Sequence, residues 1–151
     1  TQVNPYLASF LYAADRLESL DQLNKWLNQG KIIILDRYYT SNLIHQTPKI
    51  KEGEIDEFTD WLEKLEFETF KIPRPSQVIF LNVDAQISHD LITKRGEGHD
   101  GHDNLEYMKL TESRCRYLAK KLNWDVIECC QDNKILSIEE IAKKIQEKIK
   151  I

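Results

Sequence analysis

The chain has 151 residues, of which 41% are hydrophobic and 30% charged, and its formal net charge at pH 7 is −4. This composition is typical of a single folded domain and excludes a disordered chain. The acidic balance argues against a broad electrostatic contact with nucleic acid, and no apolar run approaches the ~20 residues of a membrane-spanning helix.

The first half of the chain predicts three helices and one strand. Pro5 is favoured just inside the start of a helix, and apolar residues recur at helical spacing over residues 6–28. Residues 31–35, with the aliphatic run Ile32-Ile33-Ile34-Leu35, predict a strand buried on both faces, as in a parallel sheet. Two further helices are predicted over Tyr39–Gln46 and over residues 57–70.

The second half predicts strands alternating with helices, and this order is typical of an α/β fold with a parallel sheet flanked by helices. Asp84 and the pair Ser137 and Glu140 have the spacing of helix N-caps. Residues 96–104 contain no apolar side chain and predict an exposed loop. The predicted elements are a buried strand at 77–83, a helix at 85–95, a helix at 105–122, a strand at 124–129 and a helix at 137–150.

The three cysteines are an odd number, and two of them, Cys129 and Cys130, are adjacent on a predicted strand. Such cysteines indicate free thiols in a reducing compartment rather than a disulfide framework. We therefore expect a cytoplasmic protein.

Asp36 and Arg37 directly follow the predicted strand at residues 31–35. Ligands of open α/β sheets bind at the carboxyl ends of strands, where a carboxylate can orient a metal-bound water. The planar fork of Arg37 suits a phosphate. An acidic strand end with a solvated ion pair is the alternative interpretation, and the residues alone leave both open.

Tyr12 and Arg16 are four residues apart and share one face of the first predicted helix. An aromatic ring and a guanidinium group can stack against a base and donate to its edge. The residues alone favour a partly buried tyrosine and a surface pair between Asp15 and Arg16. Arg95 precedes a glycine-containing loop and either reaches a nucleotide when the loop closes or simply ends a helix.

Taken in chain order, these motifs resemble the thymidylate kinase family, nucleoside monophosphate kinases of the P-loop class. Residues 10–16, Phe-Leu-Tyr-Ala-Ala-Asp-Arg, are similar to the family's thymine-recognition helix. Residues 36–42 resemble its Asp-Arg-Tyr motif, and residues 72–76 resemble its Leu-Pro-Lys-Pro-Asp segment. Residues 94–96 resemble the start of its LID, a loop here at about residues 95–105.

The resemblance implies transfer of the γ-phosphoryl group of ATP to dTMP, giving dTDP. It places Tyr12 against the thymine ring and Arg16 at the base edge. Ser41 and Asn42 fall at substrate-binding positions of the following helix. His45 takes a position where many members carry an aromatic residue over the base.

The resemblance also implies Mg²⁺, with Asp36 acting near the metal through water and near the phosphates. Arg37 would hold the acceptor monophosphate. Because Arg95 is the only arginine of the LID and stands at its start, we expect it to flank the donor adenine. The family is commonly dimeric through helices, and the helix of Phe10 is a candidate for a homodimer contact.

One departure from the family is the absence of the pattern Gly-x-x-x-x-Gly-Lys-[Ser/Thr], whose backbone amides and lysine hold the donor phosphates. The chain begins at Thr1, and three strands make a small sheet for so many helices. We therefore expect a carboxyl-terminal part of a longer protein, without the first strand and P-loop and inactive alone. Two alternatives are a non-catalytic nucleotide-binding protein and a kinase of another (deoxy)nucleotide or nucleoside.

Overall fold

A computed structural model of the chain describes residues 3–95 and 104–149. They form two compact units that divide between Pro75 and Ser76, called here the N-terminal unit and the C-terminal unit. The predicted exposed loop at 96–104 lies outside the described residues except for Asn104, as does most of the LID. None of the described helices combines the length and the apolar character needed to cross a membrane.

The N-terminal unit is helical throughout its regular elements. Asn4 caps the first helix, because its Oδ1 accepts hydrogen bonds from the backbone N–H of Tyr6 at 2.9 Å and of Leu7 at 3.3 Å. The elements are α1 (Pro5–Glu18), α2 (Leu20–Asn28), α3 (Tyr39–Gln46), α4 (Ile55–Glu63), 3₁₀ turns at Thr47–Lys49 and Glu52–Glu54, and a π-helical segment at Lys64–Thr69.

The single helix predicted over residues 6–28 is wrong, because the chain breaks at Ser19. The Ser19 N–H donates to the carbonyl of Arg16 at 3.0 Å, three residues back, and its ψ angle of −1° leaves the α-helical range. The helix resumes at Leu20 and buries Leu23, which is 8% exposed. Apolar spacing persists across such a break, so the pattern alone did not reveal it.

The buried strand predicted over residues 31–35 is also wrong. These residues form no strand, and Ile32, Ile34 and Leu35 are 64%, 82% and 46% exposed. A strand requires a neighbour that exchanges backbone hydrogen bonds with it, and the described part of the N-terminal unit contains no strand. The aliphatic side chains of residues 31–35 favour burial, but a strand also needs a neighbouring strand, which these residues cannot provide themselves.

The core of the N-terminal unit lies between α1, α3 and α4. Phe58 and Leu62 of α4 and Leu43 of α3 are fully buried. The ring of Tyr6 meets those of Phe58 and Trp61 edge-on, at centroid distances of 5.1 Å and 4.8 Å. The helix predicted over residues 57–70 changes to π-helical geometry after Glu63, and this change sets the position of Glu66.

The C-terminal unit confirms the predicted alternation of strands and helices. Strands β1 (Ile79–Asn82) and β2 (Asp125–Glu128) pair in parallel, with Ile79 opposite Asp125 and Asn82 opposite Glu128. Burial of β1 on both faces was predicted wrongly, because Leu81 is 45% exposed. The elements are β1 (Ile79–Asn82), α5 (Ala85–Arg95), α6 (Leu105–Lys121), β2 (Asp125–Glu128), β3 (Cys130–Gln131), β4 (Lys134–Ile135) and α7 (Ile138–Lys148).

Both predicted N-caps of the C-terminal unit are confirmed. The Asp84 carboxylate accepts from the N–H of Gln86 at 2.9 Å, and Ser137 and Glu140 form a reciprocal capping box. The antiparallel hairpin β3–β4 was not predicted. Its two-residue turn, Asp132–Asn133, has positive φ at both positions, as a type I′ turn requires.

The three cysteines are free thiols, as predicted. Cys115 and Cys129 are buried with Leu118 and Ile127 in the core of the C-terminal unit. Burial raises the pKa of Cys115 to about 12, so this thiol stays protonated and behaves as a small apolar core residue.

Candidate functional site

Helix α1 carries two of the predicted site residues, one turn apart. The Tyr12 side chain is 58% exposed, so the alternative of a partly buried tyrosine is wrong. The Arg16 side chain is only 17% exposed, and its carboxylate partner is Glu66 rather than the adjacent Asp15. An open aromatic ring therefore stands beside a guanidinium group that is already held by a carboxylate.

The pair between Arg16 and Glu66 is bidentate. Nε of Arg16 donates to Oε2 of Glu66 at 3.1 Å, and Nη2 donates to Oε1. The Glu66 side chain is 0% exposed. The residues are 50 positions apart, which is why sequence reasoning missed Glu66. The only signal was a glutamate between two apolar residues, Leu65 and Phe67, on a predicted helix.

The π-helical segment after α4 sets the position of Glu66. The Phe70 N–H donates to the Leu65 carbonyl, five residues back, and the Ile72 N–H donates to the Glu66 carbonyl, both at 2.9 Å. Lys71 closes the segment at a φ of +58°, the left-handed geometry that commonly ends helices. The wider turn and its closing bonds fix the backbone from which the Glu66 carboxylate extends.

Tyr38 lies next to this ion pair. Its hydroxyl donates to the Pro73 carbonyl at 2.9 Å. Burial and, to a smaller extent, the negative charge of Glu66 raise the pKa of Tyr38, whereas Arg16 lowers it, and together they bring it to about 12. Tyr38 is therefore a neutral hydrogen-bond donor near the pair throughout the physiological pH range.

Arg37 and His45 are brought together at the start and within the last turn of α3. Arg37 Nη1 lies 3.2 Å from Nε2 of His45. Arg37 has a φ of +69°, a left-handed conformation that costs a non-glycine residue about 1 kcal/mol. The preceding Asp36 is exposed and forms no hydrogen bond with other described residues. Because a guanidinium has only donors, Nε2 of His45 accepts the hydrogen bond from Arg37. The exposed guanidinium of Arg37 beside the carboxylate of Asp36 suits an anion and its counter-ion.

Ser41 and Asn42 occupy the first turns of α3. Asn42 is 3% exposed, and its Nδ2 donates to the Ser9 carbonyl of α1 at 3.2 Å. Ser41 is half-buried, and its N–H donates to the Tyr38 carbonyl at 3.0 Å. The amide of Asn42 thus links α1 to α3, while contact of either side chain with a nucleotide stays a prediction.

Arg95 belongs to the C-terminal unit, as the last residue of α5. Its side chain is exposed, and its predicted position beside a donor adenine stays a prediction. Among the described residues, no three histidine, cysteine, aspartate or glutamate side chains are grouped to bind a metal ion. A metal at Asp36 would therefore be held largely by water and ligand oxygens.

These features define an α/β protein whose N-terminal unit carries an open aromatic ring, two guanidinium groups and an imidazole, groups suited to a planar base and a phosphate ester. The model of one family, thymidylate kinase, matches residues 1–147. This match covers nearly the whole chain, and the chain belongs to the thymidylate kinase family.

Individual relatives agree with this assignment. The chain is 30% identical to a probable thymidylate kinase of Pyrobaculum aerophilum, over 98% of the chain and 70% of that protein. It is 31% identical to a probable thymidylate kinase of Methanosphaera stadtmanae, over 80% of the chain and 55% of that protein. It is 26% identical to the thymidylate kinase of Schizosaccharomyces pombe, over 95% of the chain and 63% of that protein. No solved structure matches the chain significantly.

Proposed function

We propose that the protein is a thymidylate kinase, which transfers the γ-phosphoryl group of ATP to dTMP and releases dTDP and ADP. In this proposal the N-terminal unit binds the phosphoryl acceptor. The observation that carries the proposal is the family match over residues 1–147. It favours a kinase over a non-catalytic nucleotide-binding protein.

Tyr12 and Arg16 are proposed to bind the thymine base. The exposed Tyr12 ring offers a face for stacking, and Arg16 lies on the same face of α1. The pair with Glu66 engages Nε and Nη2 of Arg16 and leaves its Nη1 donors outside the pair. Those donors match an acceptor oxygen on the edge of a pyrimidine.

Arg37 is proposed to hold the acceptor phosphate, with His45 orienting its guanidinium group. Because a guanidinium has only donors, Nε2 of His45 accepts from Nη1 of Arg37 at 3.2 Å, and the other N–H groups of the exposed guanidinium can donate to phosphate oxygens. Phosphoryl transfer has a loose transition state and needs little covalent chemistry from the protein. The contribution of these residues is therefore to orient the acceptor oxygen and to neutralise charge on the phosphate.

The donor side of the reaction is proposed to depend on residues outside this sequence. The 151 residues contain no Gly-x-x-x-x-Gly-Lys-[Ser/Thr] pattern. The extended run at residues 31–35 exposes three aliphatic side chains and has no strand partner in the described part of the N-terminal unit. A first strand with its P-loop, supplied by further sequence, would cover this run and bind the donor phosphates.

Asp36 is the candidate residue for magnesium. Its exposed carboxylate beside Arg37 fits an ion that keeps most of its water and binds one or two carboxylates together with substrate phosphates. The ion supplies charge neutralisation at the phosphates when it is bound. Arg95 is proposed to flank the adenine of ATP. A homodimer and a cytoplasmic location also remain proposals.

A turnover assay tests the proposed function. The protein is expressed from its complete gene, its intact mass and N-terminal sequence are determined, and it is assayed with ATP, Mg²⁺ and dTMP. We expect dTDP formation, and competition should rank dTMP above dUMP and thymidine. Protein that starts at Thr1 and makes no dTDP would overturn the kinase proposal. Preference for thymidine would instead indicate a nucleoside kinase.

Substitution of Arg37 tests the acceptor site. In Arg37→Met the KM for dTMP should rise about tenfold or more, because the phosphate loses a charged donor. The matched control is Lys51→Met, which removes a positive charge from a side chain that is 86% exposed. This control should leave the KM unchanged. Equal effects of both substitutions would show that only the overall charge matters.

A further inference from the structure

We infer that Glu66 is a positioning residue that determines base specificity, by holding the Arg16 guanidinium in the orientation that recognises a 4-oxo pyrimidine. This inference rests on the proposed function, because it takes dTMP as the acceptor. Glu66 itself touches neither base nor phosphate in this proposal. It acts through Arg16.

The burial of Glu66 is the first observation. A carboxylate that is 0% exposed has lost its hydration, and its partner Arg16 has lost most of its own. Such buried pairs often add no stability relative to apolar residues of similar volume, because the desolvation cost offsets the attraction. Stability alone therefore does not account for a charge at this position, whereas a need for a fixed guanidinium does.

The geometry of the pair is the second observation. Two parallel hydrogen bonds, from Nε and Nη2, hold the planar guanidinium against the carboxylate and define the orientation of its plane. The Nη1 donors remain on the opposite edge. Tyr12 lies one turn earlier on the same face of α1, and its exposed ring offers the base a stacking surface. A base stacked there would present its edge to a guanidinium with little freedom to adapt.

The backbone hydrogen bonding around Glu66 is the third observation. The π-helical turn and the hydrogen bond from the Ile72 N–H, at 2.9 Å, fix the residue from which the carboxylate extends. Tyr38, whose hydroxyl donates a hydrogen bond to the Pro73 carbonyl, lies beside the pair as a neutral group. The ion pair is thus attached to a segment whose own backbone is held by hydrogen bonds.

The chemical consequence is discrimination at position 4 of the pyrimidine. Thymine and uracil carry an oxygen there, which accepts hydrogen bonds, whereas cytosine carries an amino group, which donates them. A fixed guanidinium has only donors, so it binds the 4-oxo bases and repels the 4-amino base. A guanidinium released from Glu66 would turn away, and this discrimination would decline.

The test compares Glu66→Gln with Glu68→Gln in the protein expressed from its complete gene. Both substitutions remove one negative charge from the same helical segment, but Glu68 is exposed. For Glu66→Gln we expect the KM for dTMP to rise about tenfold, with kcat changed less than about twofold. The ratio of kcat/KM for dUMP over dCMP, two nucleotides that differ in the 4-oxo or 4-amino group and in the hydrogen on the neighbouring N3, should fall by about tenfold. Glu68→Gln should resemble the wild type in all three quantities.

A merely structural role for Glu66 predicts a different result. The variant would unfold at lower temperature and a smaller fraction would be active, while the KM and the dUMP-to-dCMP ratio of the active fraction would stay unchanged. That result overturns the inference. If Glu66→Gln does not fold, Glu66→Asp keeps the charge but withdraws it by one methylene, and it should raise the KM and lower the ratio about threefold. Wild-type protein that makes no dTDP would instead overturn the proposed function.

Discussion

Each of the two units contains a bidentate arginine–glutamate pair, and the two pairs differ in burial. In the N-terminal unit, the side chains of Arg16 and Glu66 are 17% and 0% exposed. In the C-terminal unit, Arg116 donates to both carboxylate oxygens of Glu128, at 2.7 Å and 3.1 Å, and the side chains are 48% and 50% exposed. The hydrogen bonding is similar, and the surroundings are different.

Burial changes what each pair can do. Water screens the exposed pair and can replace either partner, so the interaction contributes at most about 1 kcal/mol. The buried pair has no such replacement, and the loss of one partner leaves an uncompensated charge. The buried pair is costly to break and has a defined geometry, so it is suited to orienting a functional group. The exposed pair makes only a small contribution to stability at the surface.

The largest expected effect is that of Arg16→Met. This substitution leaves Glu66 buried without its guanidinium partner, and we expect the free energy of unfolding to fall by about 3 kcal/mol. Urea denaturation at pH 7 measures the change. The double variant Arg16→Met with Glu66→Leu removes the buried charge as well and should recover most of the loss. A double variant no more stable than the single one would contradict this account.

A smaller effect is expected for Tyr38→Phe, which removes the hydrogen bond to Pro73 beside the buried pair. At neutral pH the loss should be about 1 kcal/mol. The pKa of Tyr38 is raised from 10.0 to about 12, so its contribution is fully present below pH 10 and is lost as the pH rises toward 12. Thermal unfolding from pH 8 to 12 should therefore decline more steeply in the wild type. Parallel curves would show that Tyr38 does not contribute to this decline.

The smallest effect is expected for Arg116→Met in the exposed pair, about 0.5 kcal/mol or less, and it should shrink further in 1 M salt. Hydrogen bonds from Arg116 are the main cause that lowers the pKa of Glu128 below 4.5. Stability from this pair is therefore present above pH 4.5 and is lost as the pH falls through the lower pKa of the folded state. Acid titration of stability should show a shallower decline in the variant. A loss as large as that of Arg16→Met would break the comparison between the pairs.

Several elements were predictable because their causes are local. The helix at Tyr39–Gln46 has the predicted bounds, and Asp84 and the Ser137–Glu140 box cap the helices that follow them. Caps act within three residues, so the sequence carries the complete signal. Tyr12 and Arg16 share a face for the same reason, because helical spacing alone places them one turn apart.

The failed predictions concern features that depend on distant residues or on backbone geometry. The run at residues 31–35 has the composition of a buried strand, but strand formation needs a partner, and the described residues of its unit provide none. The break at Ser19 follows from local backbone geometry that apolar periodicity does not reveal. The turn Asp132–Asn133 is an exception, because its two residue types suit positive φ and the local sequence therefore carries a signal for the turn.

The sequence by itself determined the α/β class, the order of the helices, the caps and the resemblance to thymidylate kinases, because these depend on spacing and residue type along the chain. Only the tertiary structure decided that Arg16 pairs with Glu66, 50 residues away, rather than with Asp15. It also decided that Arg37 meets His45 and that Asn42 links α1 to α3. These contacts depend on how the helices pack and on which charged side chains are removed from water. Local sequence patterns predict neither the packing nor the desolvation.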